Sequence, residues 1–255
     1  MNKKTIIGII FIIIVVAIIA GVYFFTGNND ANNTNQTISD PNVNFNNAEE
    51  DNNTVVNTDT NTETQTSETS DDGLKTLVVY FSVPETEDPN NMTQDEENST
   101  VVVNGEVLGN TQYVAQLIGE RTGGDVFRLE PVNEYPTNHD ELLQVAMDEM
   151  RSDARPEIKN PIENFDEYDV IFIGYPIWNA DLPPIINTFL EEYNFEGKTV
   201  VPFCTHGGSG LAGTPRTIAN KLPNSNVITN GFSLSRNNME SAPSEVESWL
   251  QEIYN

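Results

Sequence analysis

From Leu77 onward, short uninterrupted apolar runs alternate one for one with stretches of helical period, and few folds accept that pattern. Leu77–Phe81 (LVVYF), Tyr168–Gly174 (YDVIFIG) and Thr199–Cys204 (TVVPFC) lack the polar alternation of a half-exposed strand and read as strands covered on both faces. Val126–Leu129 and a weaker run, Val227–Leu234, bring the number of strands to five. Between them, Gln112–Arg121 places Val114, Ala115, Leu117 and Ile118 on one stripe before the stop signal Gly123–Gly124. His139–Met150 opens with acidic residues that suit the positive end of a helix dipole. Pro184–Tyr193, Thr214–Leu222 and the segment from Ser244 (SEVESWLQEIY) follow as helices. The order βαβαβαβαβα predicts an α/β fold, a doubly wound five-stranded parallel sheet with helices on both faces and right-handed crossovers. Ligands of such sheets bind outside the carboxyl ends of the strands, here just after Phe81, Gly174 and Cys204.

The first 73 of the 255 residues read differently. Thr5–Phe25 is an uncharged apolar run whose 21 residues would cross a hydrocarbon layer of roughly 30 Å as a helix. Lys3 and Lys4 precede it and no positive charge follows until Lys75, which orients the rest of the chain outside the cytoplasmic membrane. A cleaved signal peptide is the alternative, but the run exceeds an ordinary h-region of about 7 to 15 residues, so residues 1–25 are read as an uncleaved anchor. Residues 26–73, rich in Asn, Thr, Asp, Ser and Glu, read as a disordered linker spanning about 35 to 40 Å as a coil. Residues 74–255 are then the folded domain. They hold ten Lys and Arg against 29 Asp and Glu, a formal charge of −19, which argues against nucleic acid and leaves a more basic protein as the natural partner. Cys204, the single cysteine, can form no internal disulfide.

Each strand-end loop has an ordinary reading and a functional one. Gly109-Asn110-Thr111 before a helix is a common cap, and equally a place where main-chain amides and short polar side chains gather around an anion. Trp178, in GYPIWNADLPP, is a core or surface aromatic by default and a stacking plate in the sharper reading. Thr205–Gly210 (THGGSG) is a flexible loop or a main chain free to approach the polar edge of a ring. His139 reads as a solvated helix residue and Cys204 as a small buried hydrophobe, while His206 is either an ordinary loop residue or a hydrogen-bond donor to a ligand. No catalytic residue, triad or metal cluster is recognisable.

Taken together, VVYFS, GNTQYVAQLI, GYPIWNADLPPIINTFLEE and VPFCTHGGSG resemble flavodoxins, especially longer bacterial flavodoxin-like proteins, over essentially the whole of Leu74–Asn255. The resemblance implies strand order 2-1-3-4-5 and a noncovalent FMN. It places Ser82, Gly109, Asn110 and Thr111 at the FMN phosphate. It places Pro176, Ile177 and Trp178, with Asn179, on the isoalloxazine, and Thr205, His206, Gly207, Gly208 and Gly210 along the pyrimidine edge. The chain departs from short flavodoxins in the 26 residues Val83–Leu108, where Asn104-Gly105 between TVVV and EVL suggests a hairpin beside the site.

These features favour an FMN-binding electron carrier tethered outside the membrane that docks on a basic redox protein, with surrounding carboxylates opposing the negatively charged reduced flavin. An NAD(P)H-dependent quinone or FMN reductase of the same fold and a flavin-free exported binding module are the alternatives.

Overall fold

The computed structural model describes residues 73–254. The expected membrane segment and all but the last residue of the expected linker lie outside the described residues. Among the described residues, no helix is long and apolar enough to cross a membrane.

Five parallel positions form the central sheet. β1 (Thr76–Tyr80) lies between β4 (Asp125–Arg128) and β5 (Val170–Pro176); β6 (Thr199–His206) follows, and the fifth position is shared by β7 (Asn226–Val227) and β8 (Phe232–Ser235). In strand positions the order is 2-1-3-4-5, as expected. An insertion hairpin, β2 (Thr100–Val103) and β3 (Glu106–Gly109), stands apart from this sheet. The helices are α1 (Gln94–Ser99), α2 (Asn110–Thr122), α3 (His139–Arg151), α4 (Pro184–Glu192), α5 (Thr214–Lys221) and α6 (Ala242–Tyr254).

Successive strand residues point to opposite faces, so each inner strand feeds two cores. Leu77, Val79, Ile171 and Ile173 pack with Ile185 and Phe189 of α4 and Ile218 of α5. Val78, Tyr80, Phe172 and Phe203 pack with Val114 and Ile118 of α2 and Val246 and Trp249 of α6. Covering on both faces explains the unbroken apolar runs. Gly174 belongs to this packing: a Cβ there would sit 2.1 Å from Phe203 Cζ, the ring of its partner residue on β6.

The fifth strand, expected as one run over Val227–Leu234, is broken, and Pro202 explains the break. Ile228 N donates to the Val200 carbonyl (2.8 Å), so Val200 faces the fifth strand. Two residues on, Pro202 faces the same side and has no N–H to offer. Pairing stops there and resumes at Phe203–Phe232.

Candidate functional site

The inserted residues build the first wall of the site. Asn104 and Gly105 both have positive φ (54° and 85°), the turn that suits a two-residue hairpin, and Val103 pairs with Glu106 across it. β3 then passes into α2 without a connecting residue: Gly109 ends the strand and Asn110 begins the helix. This path sets Gly109 against the residue that follows β1, where a Cβ on Gly109 would lie 2.1 Å from Ser82 Oγ. Ser82, Asn110 and Thr111 are all buried. Asn110 Nδ2 donates to the Asn98 carbonyl (2.9 Å), while its Oδ1 is buried and has no partner. The Thr111 and Thr205 hydroxyls are 2.7 Å apart, tying the start of α2 to the end of β6.

The loop after β5 is rigid. Ile177 N donates to the Thr205 carbonyl (2.9 Å), and Trp178 and Asp181 exchange main-chain hydrogen bonds around Asn179 and Ala180, both with positive φ. Pro183 and Pro184 then start α4, where a missing N–H carries no penalty. The Trp178 ring meets Phe81 and Tyr135 nearly perpendicularly, each at 5.3 Å between centroids. The Tyr135 hydroxyl in turn donates to Glu149 of α3 (2.7 Å). The indole plane is thus set by three elements.

After β6, His206 Nδ1 accepts from Gly208 N (2.9 Å), and burial holds its pKa below the ordinary value. The neutral ring must then carry its proton on Nε2. The Arg236 guanidinium lies against Gly207: a Cβ there would be 3.2 Å from Arg236 Cζ.

These loops enclose a cleft of about 240 Å³. Ser82, Asn110, Thr111, Pro176, Ile177 and Trp178 line it, together with Asn179, Thr205, His206 and Gly207. Gly109 stands behind Ser82, and Gly208 and Gly210 continue the last loop without lining the cleft. Lining residues not anticipated from the sequence are Val83, Glu85, Asn98, Ser99, Arg236 and, on α3, Leu142, Leu143, Ala146, Met147 and Met150. His139, read as a solvated helix residue, instead lines the cleft and places Nδ1 3.0 Å from Glu85 Oε2. Burial raises the Glu85 pKa against the opposing pull of His139. Among the described residues lining the cleft, Glu85 is the single acidic one, with Asp95 Oδ1 4.0 Å from His139 Nε2. Cys204 is fully buried and its thiol is pushed up to about 12 by burial, which suits a packing role. Among the described residues there is no group of His, Cys, Asp or Glu able to hold a metal ion.

The flavodoxin sequence profile matches residues 100–253. The chain belongs to the flavodoxin family. A candidate flavoprotein of Bacteroides eggerthii is 30% identical, with 72% of this chain and 99% of that one covered and a TM-score of 0.52. A second, from Bacteroides uniformis, is 29% identical, covers 70% of this chain and 99% of its own, and has a TM-score of 0.52. A Lactobacillus acidophilus flavoprotein solved in complex with FMN is 20% identical over 70% of this chain and 99% of its own, with a TM-score of 0.49. Among curated proteins, none matches the chain.

FMN is the cofactor of this family, and the cleft's donor set fits it. The first N–H groups of α2 have no side-chain cap, so they remain free for an anion, and Ser82 and Asn110 stand beside them. The unpartnered Asn110 Oδ1 is an acceptor available to a ligand hydroxyl. Trp178 offers an aromatic surface, and His206 Nε2–H and the Gly207 main chain offer polar contacts at the other end.

Proposed function

We propose that this chain is an FMN-binding electron carrier. Bound FMN would supply the redox chemistry; the chain's own residues anchor, orient and shield it. Ser82, Asn110, Thr111 and the start of α2 hold the phosphate, Trp178 packs on the ring, and the loop Thr205–Gly210 borders its polar edge. The observation that carries this reading is the convergence of three strand-end loops on one cleft, braced by the Thr111–Thr205 bond. Titration of the full chain with FMN tests it: a bound flavin spectrum and quenched flavin fluorescence are expected, and no uptake at tens of micromolar FMN would end the proposal.

Thr5–Phe25 serves in this reading as a membrane anchor, with residues 26–73 as a tether that holds the domain outside the cytoplasmic membrane. The acidic balance of the domain suits a basic redox protein as partner, so the rate of reduction by that partner should fall as salt rises. A second reading is favoured by α3, whose Leu143 (50% exposed) and Met147 (37% exposed) add an apolar wall to the cleft. That wall suits a reductase of a small apolar acceptor such as a quinone, and rapid bleaching of the flavin by NADH or NADPH alone would select it. A flavin-free binding module would stay colourless in the same titration.

A further inference from the structure

In a domain this acidic, the lining of the cleft is nearly balanced in charge. Its single carboxylate, Glu85, is hydrogen-bonded to His139, and its single Lys or Arg is Arg236. Elsewhere the described cations are engaged: six are in ion pairs with carboxylates, while Arg128 and Lys198 donate to main-chain carbonyls. Arg216 and Arg236 alone among the described Lys and Arg have neither a carboxylate nor a carbonyl partner; both are exposed, and of the two only Arg236 lines the cleft.

The position of Arg236 follows from the sheet. His206 pairs with Ser235 in parallel register, so the next residues, Gly207 and Arg236, leave the sheet side by side. Glycine at 207 leaves room for the guanidinium, whose Cζ, Nη1 and Nε would all lie 3.2 to 3.4 Å from a Cβ there. Arg236 thus borders the cleft beside Gly207, in the loop to which the FMN reading gives the ring's polar edge.

We infer that Arg236 is the charge partner of the reduced FMN ring, an inference that rests on the FMN reading. Reduction adds negative charge to the polar edge of the ring. A guanidinium beside that edge favours the reduced form over the oxidised one, whereas carboxylates elsewhere on the surface disfavour it. Through this residue the chain sets the potential locally, against the sign of its own net charge.

The test uses the full chain as wild type, Arg236→Gln, Arg236→Lys and Arg216→Gln, each titrated with FMN and with riboflavin, with midpoint potentials measured for the loaded forms. Arg236→Gln is expected to weaken reduced relative to oxidised flavin at least tenfold, a fall of about 30 mV in the two-electron midpoint. The same fall should appear with riboflavin, Arg236→Lys should retain most of the wild-type value, and Arg216→Gln, with the same net charge change, should leave it in place. Equal shifts in Arg236→Gln and Arg216→Gln would overturn the inference in favour of long-range charge alone. So would a loss of FMN affinity with riboflavin affinity and potential unchanged, which would assign Arg236 to the phosphate. A wild-type chain that takes up neither flavin would overturn the FMN reading itself, together with this inference.

Discussion

Replacing Gly109 with alanine puts a methyl carbon 2.1 Å from Ser82 Oγ and 3.2 Å from Ser82 Cβ, with Pro84 Cδ at 3.6 Å. The backbone itself would not object: Gly109 has φ −66° and ψ 145°, a conformation alanine adopts freely. Alanine there even gains about 0.4–1 kcal/mol by restricting the unfolded chain. Overpacking in a buried site costs about 1–3 kcal/mol, so the expected net loss for Gly109→Ala is about 1–2 kcal/mol. Ser82→Ala removes the colliding oxygen and leaves only the 3.2 Å contact, so the double variant should recover nearly all of that loss. Urea titrations of wild type, both single variants and the double variant, followed by circular dichroism, measure the coupling directly. A coupling of about 1–2 kcal/mol is expected; single-variant losses that add within about 0.5 kcal/mol would show that Gly109 is not there to admit Ser82. FMN affinity should not recover with stability, because the double variant still lacks the Ser82 hydroxyl.

Trp178→Ala should weaken FMN binding about tenfold or more and destabilise the fold by about 1–3 kcal/mol through the lost Phe81 and Tyr135 contacts; FMN fluorescence and urea titration separate the two effects. Thr111→Val leaves the buried Thr205 hydroxyl without its partner and should cost about 1–3 kcal/mol, whereas Thr111→Val with Thr205→Val should come close to neutral in the same titration. The Glu85 carboxyl has its pKa raised by burial, so it contributes stability below its unfolded value of 4.5 that is lost as pH rises through the folded value. Glu85→Gln should therefore be more stable relative to wild type at pH 7 than at pH 4; a difference that stays flat with pH would count against a desolvated carboxylate at this position.

Much of the scaffold was legible because it depends on local period. Leu77–Phe81 and Val170–Gly174 are apolar throughout because both faces are covered, and Asn104-Gly105 marks a hairpin because both residues tolerate positive φ. α1 was missed although its start carries a visible signal: Thr93 and Glu96 form a capping box, with Glu96 Oε2 accepting from Thr93 N (2.6 Å) and Thr93 Oγ1 from Glu96 N (3.3 Å). The break at Pro202 was legible in principle, since proline inside a strand removes a ladder bond. The outer parts of the cleft were not. His139 meets Glu85, 54 residues away, only because Glu85 and Asp95 of the insertion reach the first residue of α3, and no spacing rule reports that encounter. Arg236 reaches Gly207 through the register of β8 on β6, which the broken fifth strand hides from any local reading. Net charge is a sum over the chain, and it does not tell that Glu85 is the single acidic residue among those lining the cleft.

The gap opposite Pro202 has a use beyond explaining the topology. Because the fifth strand is released after Val227 and captured afresh at Phe232, Thr229 and Asn230 are exposed and belong to neither ladder segment. Length can change there while the Phe203–Phe232 pairing, and with it the neighbourhood of Gly207, keeps its own alignment. A fluorescent reporter or an affinity handle spliced between Thr229 and Asn230 would ride on the edge of the sheet, giving an assembly tag that leaves both chain ends free.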